Sequence, residues 1–184
     1  AQGELIGEFF IETRYLIKPA DVAPVFIKAL LAAEDARFFE HKGINLWSIV
    51  RAACKNLSSF EIRQGGSTIT QQVVKSLLLT PEKTLTRKIR EAILATRLEQ
   101  DLSKDDILSL YLNQTYFGRG AYGIEAAARV YFGKSALALN LPEAAFLAGL
   151  PKAPSYYHNS KKALERRSYV LSRMLELGFI RENE

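Results

Sequence analysis

The 184-residue chain reads as a mainly α-helical domain, and three features of the sequence lead there. Apolar residues recur at three- and four-residue spacing through most of its length. The segments so patterned are bounded by helix-start and helix-stop residues: Pro24, Pro142 and the Ser103/Asp106 pair at beginnings, Pro81 and Gly178 at ends. Alternation suited to a strand is confined to the N-terminal arm, and is only partial there.

Taken in order, residues 4 to 17, ELIGEFFIETRYLI, predict a short strand or extended arm. Pro24 opens a helix in which Val25, Phe26, Ala29, Leu30 and Ala33 form the apolar face; it is expected to run to about Arg37 and to end near Gly43. A second helix is expected over Leu46 to Leu57. The stretch SSFEIRQGGSTIT, 58 to 70, has two glycines and several hydroxyls and reads as a mobile loop. A helical run carrying Val73, Val74 and Leu77 to Leu79 follows and stops at Pro81. Thr84 or Thr86 caps the next helix, which reaches about Gln100 with Leu85, Ile89, Ala92, Ile93 and Thr96 on one face. Ser103 and Asp106 have the spacing of a capping box for a helix to about Gln114. FGRGAYG, 117 to 123, is a glycine-rich turn before a helix through Tyr131. Pro142 starts a short apolar helix, and a final helix spans about Lys161 to Leu177. No linker divides the chain, so a single domain over 1–184 is expected, with 1–23 as its arm.

Composition narrows the function classes. A net charge of +5 and a pI near 9.3 favour an anionic partner. One cysteine, Cys54, excludes an internal disulfide, and with only two histidines it argues against a dedicated His/Cys metal cage. No apolar run reaches the length of a membrane-spanning helix. The chain begins at Ala1 rather than methionine, so a fragment of a longer protein or a processed chain is expected.

Several stretches could carry chemistry. Glu34 and Asp35 fall in the last turns of the first helix, where carboxylates oppose the helix dipole by roughly 0.3–1 kcal/mol each. In a partly apolar cleft, with Phe38 and Phe39 as a wall, such a carboxylate suits proton transfer. The plainer reading is a solvated helix end with His41 and Lys42 as charge partners. RQGGSTITQQVVK, 63 to 75, offers backbone amides and the side chains of Ser67, Thr68, Gln71 and Gln72 to a sugar or phosphate; it could equally be a helix cap. It lacks the Gly-Lys-Ser/Thr ending of a P-loop. Arg87, Lys88 and Glu91 can share one helical face, as a diphosphate clamp or as a surface ion-pair ladder. Asn113 and Gln114 end an ordinary buried stripe, and Arg167 looks like a buried or bridging arginine on the last helix. Aromatic interleaving suited to nucleic acid is not evident, and no nucleic-acid partner is expected.

Five stretches in this order, EDARFFEHKG (34–43), GGSTITQQ (65–72), RKIRE (87–91), KDDILSLYLN (104–113) and RRSYVL (166–171), resemble one family over about Pro24 to Ile180. It is the peptidoglycan glycosyltransferases, glycosyltransferase family 51, the polymerase domain of class A penicillin-binding proteins and their monofunctional relatives. The resemblance implies a lysozyme-like, mainly α fold with a large helical lobe and a smaller, membrane-associated jaw at about 57–80. Its membrane-facing residues would lie among Leu57, Phe60, Ile62 and Leu77 to Leu79. It implies an inverting transfer that joins lipid II units by β-1,4 bonds and releases polyprenyl diphosphate. Glu34 would be the general base, with Glu91 as second catalytic carboxylate. Asp35, Ser67, Gln71, Gln72, Lys75, Arg87, Lys88 and Asn113 would bind substrate. No cofactor is firmly implied; a divalent ion, Mg or Mn, would sit near Asp35 if one is used. Implied partners are lipid II, the nascent glycan strand, the membrane surface and the phosphoglycolipid inhibitor moenomycin. The implied location is the outer face of a bacterial cell membrane, with an N-terminal anchor outside this chain. A lysozyme-like or lytic glycan-cleaving enzyme is the alternative.

Overall fold

The computed structural model describes residues 13–45, 66–80, 82, 84–154 and 161–183. The helix expected over 46–57 and most of the loop expected over 58–70 lie outside these residues, as do Leu57, Phe60 and Ile62. The helices are α1 (Pro24–Glu34), α2 (Ile69–Leu78), α3 (Leu85–Asp101), α4 (Lys104–Gln114), α5 (Ile124–Phe132), α6 (Leu141–Gly149) and α7 (Lys161–Glu176). Three 3-10 turns, Pro19–Asp21, Ala136–Ala138 and Leu150–Lys152, join them. The described architecture is mainly α, in agreement with the periodicity.

Helix starts follow the expected chemistry. Pro24 occupies the first turn of α1, where its missing N–H is no loss. Thr68, Ser103 and Asn140 form complete capping boxes with Gln71, Asp106 and Glu143. Of the two candidates for α3, Thr84 is the cap, accepting from the Arg87 N–H.

The core is built around α1, α6 and α7. Phe26, Ala29 and Leu30 of α1 are buried against the small residues Ala144, Ala145 and Ala148 of α6, with Val170 and Met174 of α7 beneath. Alanine here lets the helix axes approach closely, and large side chains such as Phe26 and Leu147 fill the remaining space. α2 packs on both α3 and α4.

Within its described residues the arm forms the expected short strand, β1 (Thr13–Arg14), which runs parallel to β2 (Ala121–Tyr122) with Thr13 opposite Ala121. α1 ends at Glu34 rather than near Arg37, because Asp35 leaves helical geometry at φ −157°, ψ 79° to bond α2. On α3 the face that carries Leu85, Ile89 and Ile93 is the outer one. Leu85, Ile89 and Ile93 are exposed, while Glu91 and Ala95 are buried.

Gly43 is fixed by close approach. Its φ is +89°, and a Cβ there would lie 2.7 Å from the Ala95 carbonyl and the Thr96 nitrogen, both backbone atoms of α3. Its own carbonyl accepts from the Thr68 hydroxyl at 2.7 Å, so the same residue also braces the start of α2. Gly43→Ala is expected to cost about 3 kcal/mol or more, from strain at positive φ plus overlap with backbone that cannot rotate away. Chemical denaturation measures it; a loss under about 1 kcal/mol would mean that α3 is not held against this turn.

Candidate active site

A groove of about 600 Å³ opens where the end of α1, the start of α2, the 150–152 turn and α7 meet. Glu34, Ser67, Gln72 and Lys75 line one side of it, and Lys152 and Arg166 line the other. Leu177 and Phe179 supply apolar surface. The wall expected from Phe38 and Phe39 is absent: Phe38 is buried in the core, Phe39 is exposed, and neither lines the groove.

Glu34 is the last residue of α1, and its side chain is 12% exposed. Oε2 accepts from the Gln72 amide at 2.8 Å, and Oε1 faces Nη2 of Arg166 at 3.9 Å. The carboxylate is therefore held from two sides while remaining open to the groove. Its charge is felt at Tyr111, whose hydroxyl is pushed well above the usual phenol range, by burial first and by Glu34 second. Across the groove, Lys152 is held below the usual lysine range by burial and by Arg166, against the opposing charges of Tyr169 and Glu34.

Asp35 has a different task from its neighbour. Its Oδ2 accepts from the Ile69 N–H at 3.1 Å and from His41 Nε2 at 2.8 Å. With Nε2–H donating, Nδ1 is left to accept from the Lys104 ammonium at 3.5 Å. Lys104 also bonds Glu99 at 2.7 Å, and Glu99 accepts from the Thr70 hydroxyl at 2.5 Å. Asp35, His41 and Glu99 side chains are each less than a tenth exposed. This chain of charges links the end of α1 to α2, α3 and α4 from behind the groove. The plainer sequence reading, in which His41 partners a carboxylate at a helix end, thus describes Asp35 and not Glu34.

The basic helix carries an ion cluster around one buried carboxylate. Glu91 is almost fully buried, with Arg87 Nη1 at 3.1 Å and Lys88 Nζ also bonded to it. Lys88 reaches on to the Ser67 hydroxyl at 2.8 Å, and Ser67 lines the groove. The fold thereby brings Glu34, Asp35, Ser67, Gln72 and Lys75 to one groove, with Lys88 joined to it through Ser67. Arg87 and Glu91 stand behind Lys88 and do not line the groove.

Two expected ligands of the substrate lie elsewhere. Gln71 is 2% exposed, and its carbonyl oxygen accepts from the Thr68 N–H in the capping box. Asn113 accepts from the Ile17 N–H and donates to the Ile17 carbonyl, both at 2.8 Å, so its amide substitutes for a strand partner and fastens the arm. Among the described residues no three His, Cys, Asp or Glu side chains gather as a metal set. Asp35 spends its Oδ2 on His41 and the α2 backbone, so these residues do not fit a protein-held divalent ion.

Sequence reasoning misses Arg166, Lys152, Glu99 and Lys104. The RRSYVL stretch does signal an arginine of consequence, but the sequence pattern singles out Arg167. One residue on a helix is a turn of about 100°, and it is Arg166 that faces Glu34. Lys152, alone in a proline-containing turn, gives no periodic signal.

Comparison with known proteins places the chain in a family. The family model described as Transglycosylase matches residues 2–175. Penicillin-binding protein 1A of Pseudomonas aeruginosa is 51% identical over 181 residues, covering 97% of this chain and 22% of that protein. That of Aquifex aeolicus is 51% identical over 183 residues, covering 98% and 25%, and that of Escherichia coli is 48% identical over 187 residues, covering 100% and 22%. The 2.6 Å crystal structure of penicillin-binding protein 1A from Haemophilus influenzae superposes with a TM-score of 0.55 at 30% identity, over 100% of this chain and 18% of that one. The chain belongs to the transglycosylase family and is a glycosyltransferase domain of the penicillin-binding-protein type. It spans a quarter or less of the length of these relatives.

Glu99→Ala is expected to destabilise the fold by about 3–5 kcal/mol, because it strands Lys104 in a largely buried site and releases Thr70. Thermal or denaturant unfolding of variant and parent measures this; parent-like stability would show that the network behind the groove does not hold α2.

Proposed function

We propose that this domain polymerises lipid II into β-1,4-linked glycan strands with inversion at the anomeric carbon, in peptidoglycan synthesis. The observation that carries the reading is the pairing, in one groove, of an oriented carboxylate, Glu34, with Lys75 and the Ser67–Lys88 contact. In this reading Glu34 takes the proton from the acceptor sugar's 4-hydroxyl as that oxygen attacks the donor's anomeric carbon. The bond from that carbon to the diphosphate oxygen breaks on the opposite face, so an α-linked donor gives a β-linked product in one displacement. Negative charge develops on the leaving diphosphate, and fixed cations stabilise it more than they stabilise the ground state. Lys75 and Lys88 meet that charge directly. Arg87 reinforces it, and Glu91 keeps both members of the Arg87/Lys88 pair aimed along α3. The same cations would receive the phosphate of moenomycin.

The glycan-cleaving alternative is less well supported. A glycosidase needs a second carboxyl group across the scissile bond, roughly 5–9.5 Å from the first and free to donate or attack. Glu91 is buried between two cations and Asp35 is bonded to His41 and to the α2 backbone, so neither is available for that part.

A membrane-facing jaw is supported by what surrounds the groove. Leu77 and Leu78 at the end of α2 and Leu85, Ile89 and Ile93 along α3 are exposed. Apolar surface of this kind, beside a basic cluster, suits contact with an anionic bilayer that holds the polyprenyl chain of the substrate. No described helix is long and apolar enough to cross a membrane, so such contact would be interfacial. The outer face of the cell membrane is where the substrate would be met.

Glu34→Gln is expected to keep the fold and lower lipid II turnover by at least about 100-fold, within the range for loss of a general base. Gel-resolved glycan product from purified variant and parent is the measurement; near-normal turnover would remove Glu34 from the reaction.

A further inference from the structure

Arg166 is held in a way that a surface arginine is not. Its Nε–H donates to the Gly149 carbonyl at 3.4 Å, at the negative end of α6. Its guanidinium carbon lies 4.5 Å from the centre of the Tyr169 ring, one turn further along α7. Its Nη2 faces Glu34 Oε1, and the side chain is 9% exposed. The space it occupies exists because residue 149 is glycine. A Cβ there would stand 2.9 Å from Arg166 Cγ. The guanidinium is thus fixed by a helix end, an aromatic face and a carboxylate, with little freedom left to lose.

We propose that Arg166 is a positioning residue for the base, which fixes the orientation of the Glu34 carboxyl group jointly with Gln72. This rests on Glu34 being the base. The division of labour follows from the two oxygens. Gln72 holds Oε2 from the α2 side, and Arg166 faces Oε1 from the α7 side, so rotation about the terminal carboxylate bond is opposed from both directions. Such control matters because a general base must lie within hydrogen-bond reach of the hydroxyl it deprotonates, and a displacement of about 1 Å can cost on the order of 100-fold in rate. The role reaches across the fold: α7, the last helix, completes a site whose reactive group sits on α1.

The test uses lipid II turnover by the full chain, with kcat and KM separated, for Arg166→Gln, Arg166→Lys and Gly149→Ala, with Glu34→Gln as reference. Arg166→Gln is expected to lower kcat by about 10- to 100-fold with KM changed less than about twofold, since the arginine acts through Glu34 and not on substrate. Arg166→Lys restores at least a roughly threefold part of that loss by returning the cation, and Gly149→Ala lowers kcat in the same manner by displacing the side chain. Circular dichroism melts check that each variant is folded; if Arg166→Gln does not fold, the Lys and Gly149 variants decide the matter. A KM rise with kcat retained would assign Arg166 to substrate binding and overturn the proposal, as would parent-like kcat in Arg166→Gln and Gly149→Ala while Glu34→Gln is inactive. Near-normal turnover of Glu34→Gln would instead overturn the reading of Glu34 on which the proposal stands.

Discussion

The arrangement depends on one buried carboxylate. Asp35 accepts from the first backbone N–H of α2 and from His41, and in doing so it ends α1 at Glu34. Had the helix continued, Glu34 would sit in mid-helix and α2 would begin elsewhere. With the helix stopped there, Glu34 projects from a helix end toward Gln72, whose helix is anchored by the same Asp35. Two adjacent acids in the sequence thus have different surroundings: Asp35 Oδ2 is bonded to His41 and to the α2 backbone, whereas Glu34 is held by Gln72 and faces Arg166 across the groove.

Charge is used twice in this fold. The cluster behind the groove, Asp35, His41, Glu99 and Lys104, fixes helices to one another. The groove itself is cationic in excess: Arg37, Lys75, Lys152, Arg166 and Arg173 line it against Glu34, Asp35 and Glu40, with Arg166 turned to Glu34 and Lys88 joined to the groove through Ser67. Burial and Arg166 lower the affinity of Lys152 for its proton, against the opposing pull of Glu34. A site that holds like charges together before its ligand arrives is suited to a ligand carrying several negative charges.

Much of the fold was legible because its signals are local. The capping box at Ser103 and the prolines at 24 and 142 mark helix starts through interactions made within a few residues. The misreadings came where tertiary contact overrides the local pattern. Asp35 shortens α1 for the sake of a residue 34 positions away, and Gln71 turns inward to complete a cap. Asn113 pairs with Ile17, 96 residues earlier, which no spacing rule could reveal. On α3 periodicity reports one apolar face and not what covers it, and the structure leaves Leu85, Ile89 and Ile93 of that face exposed. At the groove the motif-bearing residues on α1 and α2 were found from their chemistry, while Lys152 and Arg166, supplied by a turn and by the last helix, had no sequence pattern to join them to Glu34.

The central claim is that one groove holds a base at Glu34 and a receiving site for diphosphate at Lys75, Ser67 and Lys88. A crystal structure of the Glu34→Gln chain with lipid II bound tests it most directly. The account predicts a diphosphate of the donor within hydrogen-bond distance of Lys75 and of Lys88 or Ser67, with a sugar hydroxyl beside the amide that replaces the Glu34 carboxylate. A diphosphate bound away from α2 and α3, or a substituted side chain at that position with no sugar near it, would contradict the account.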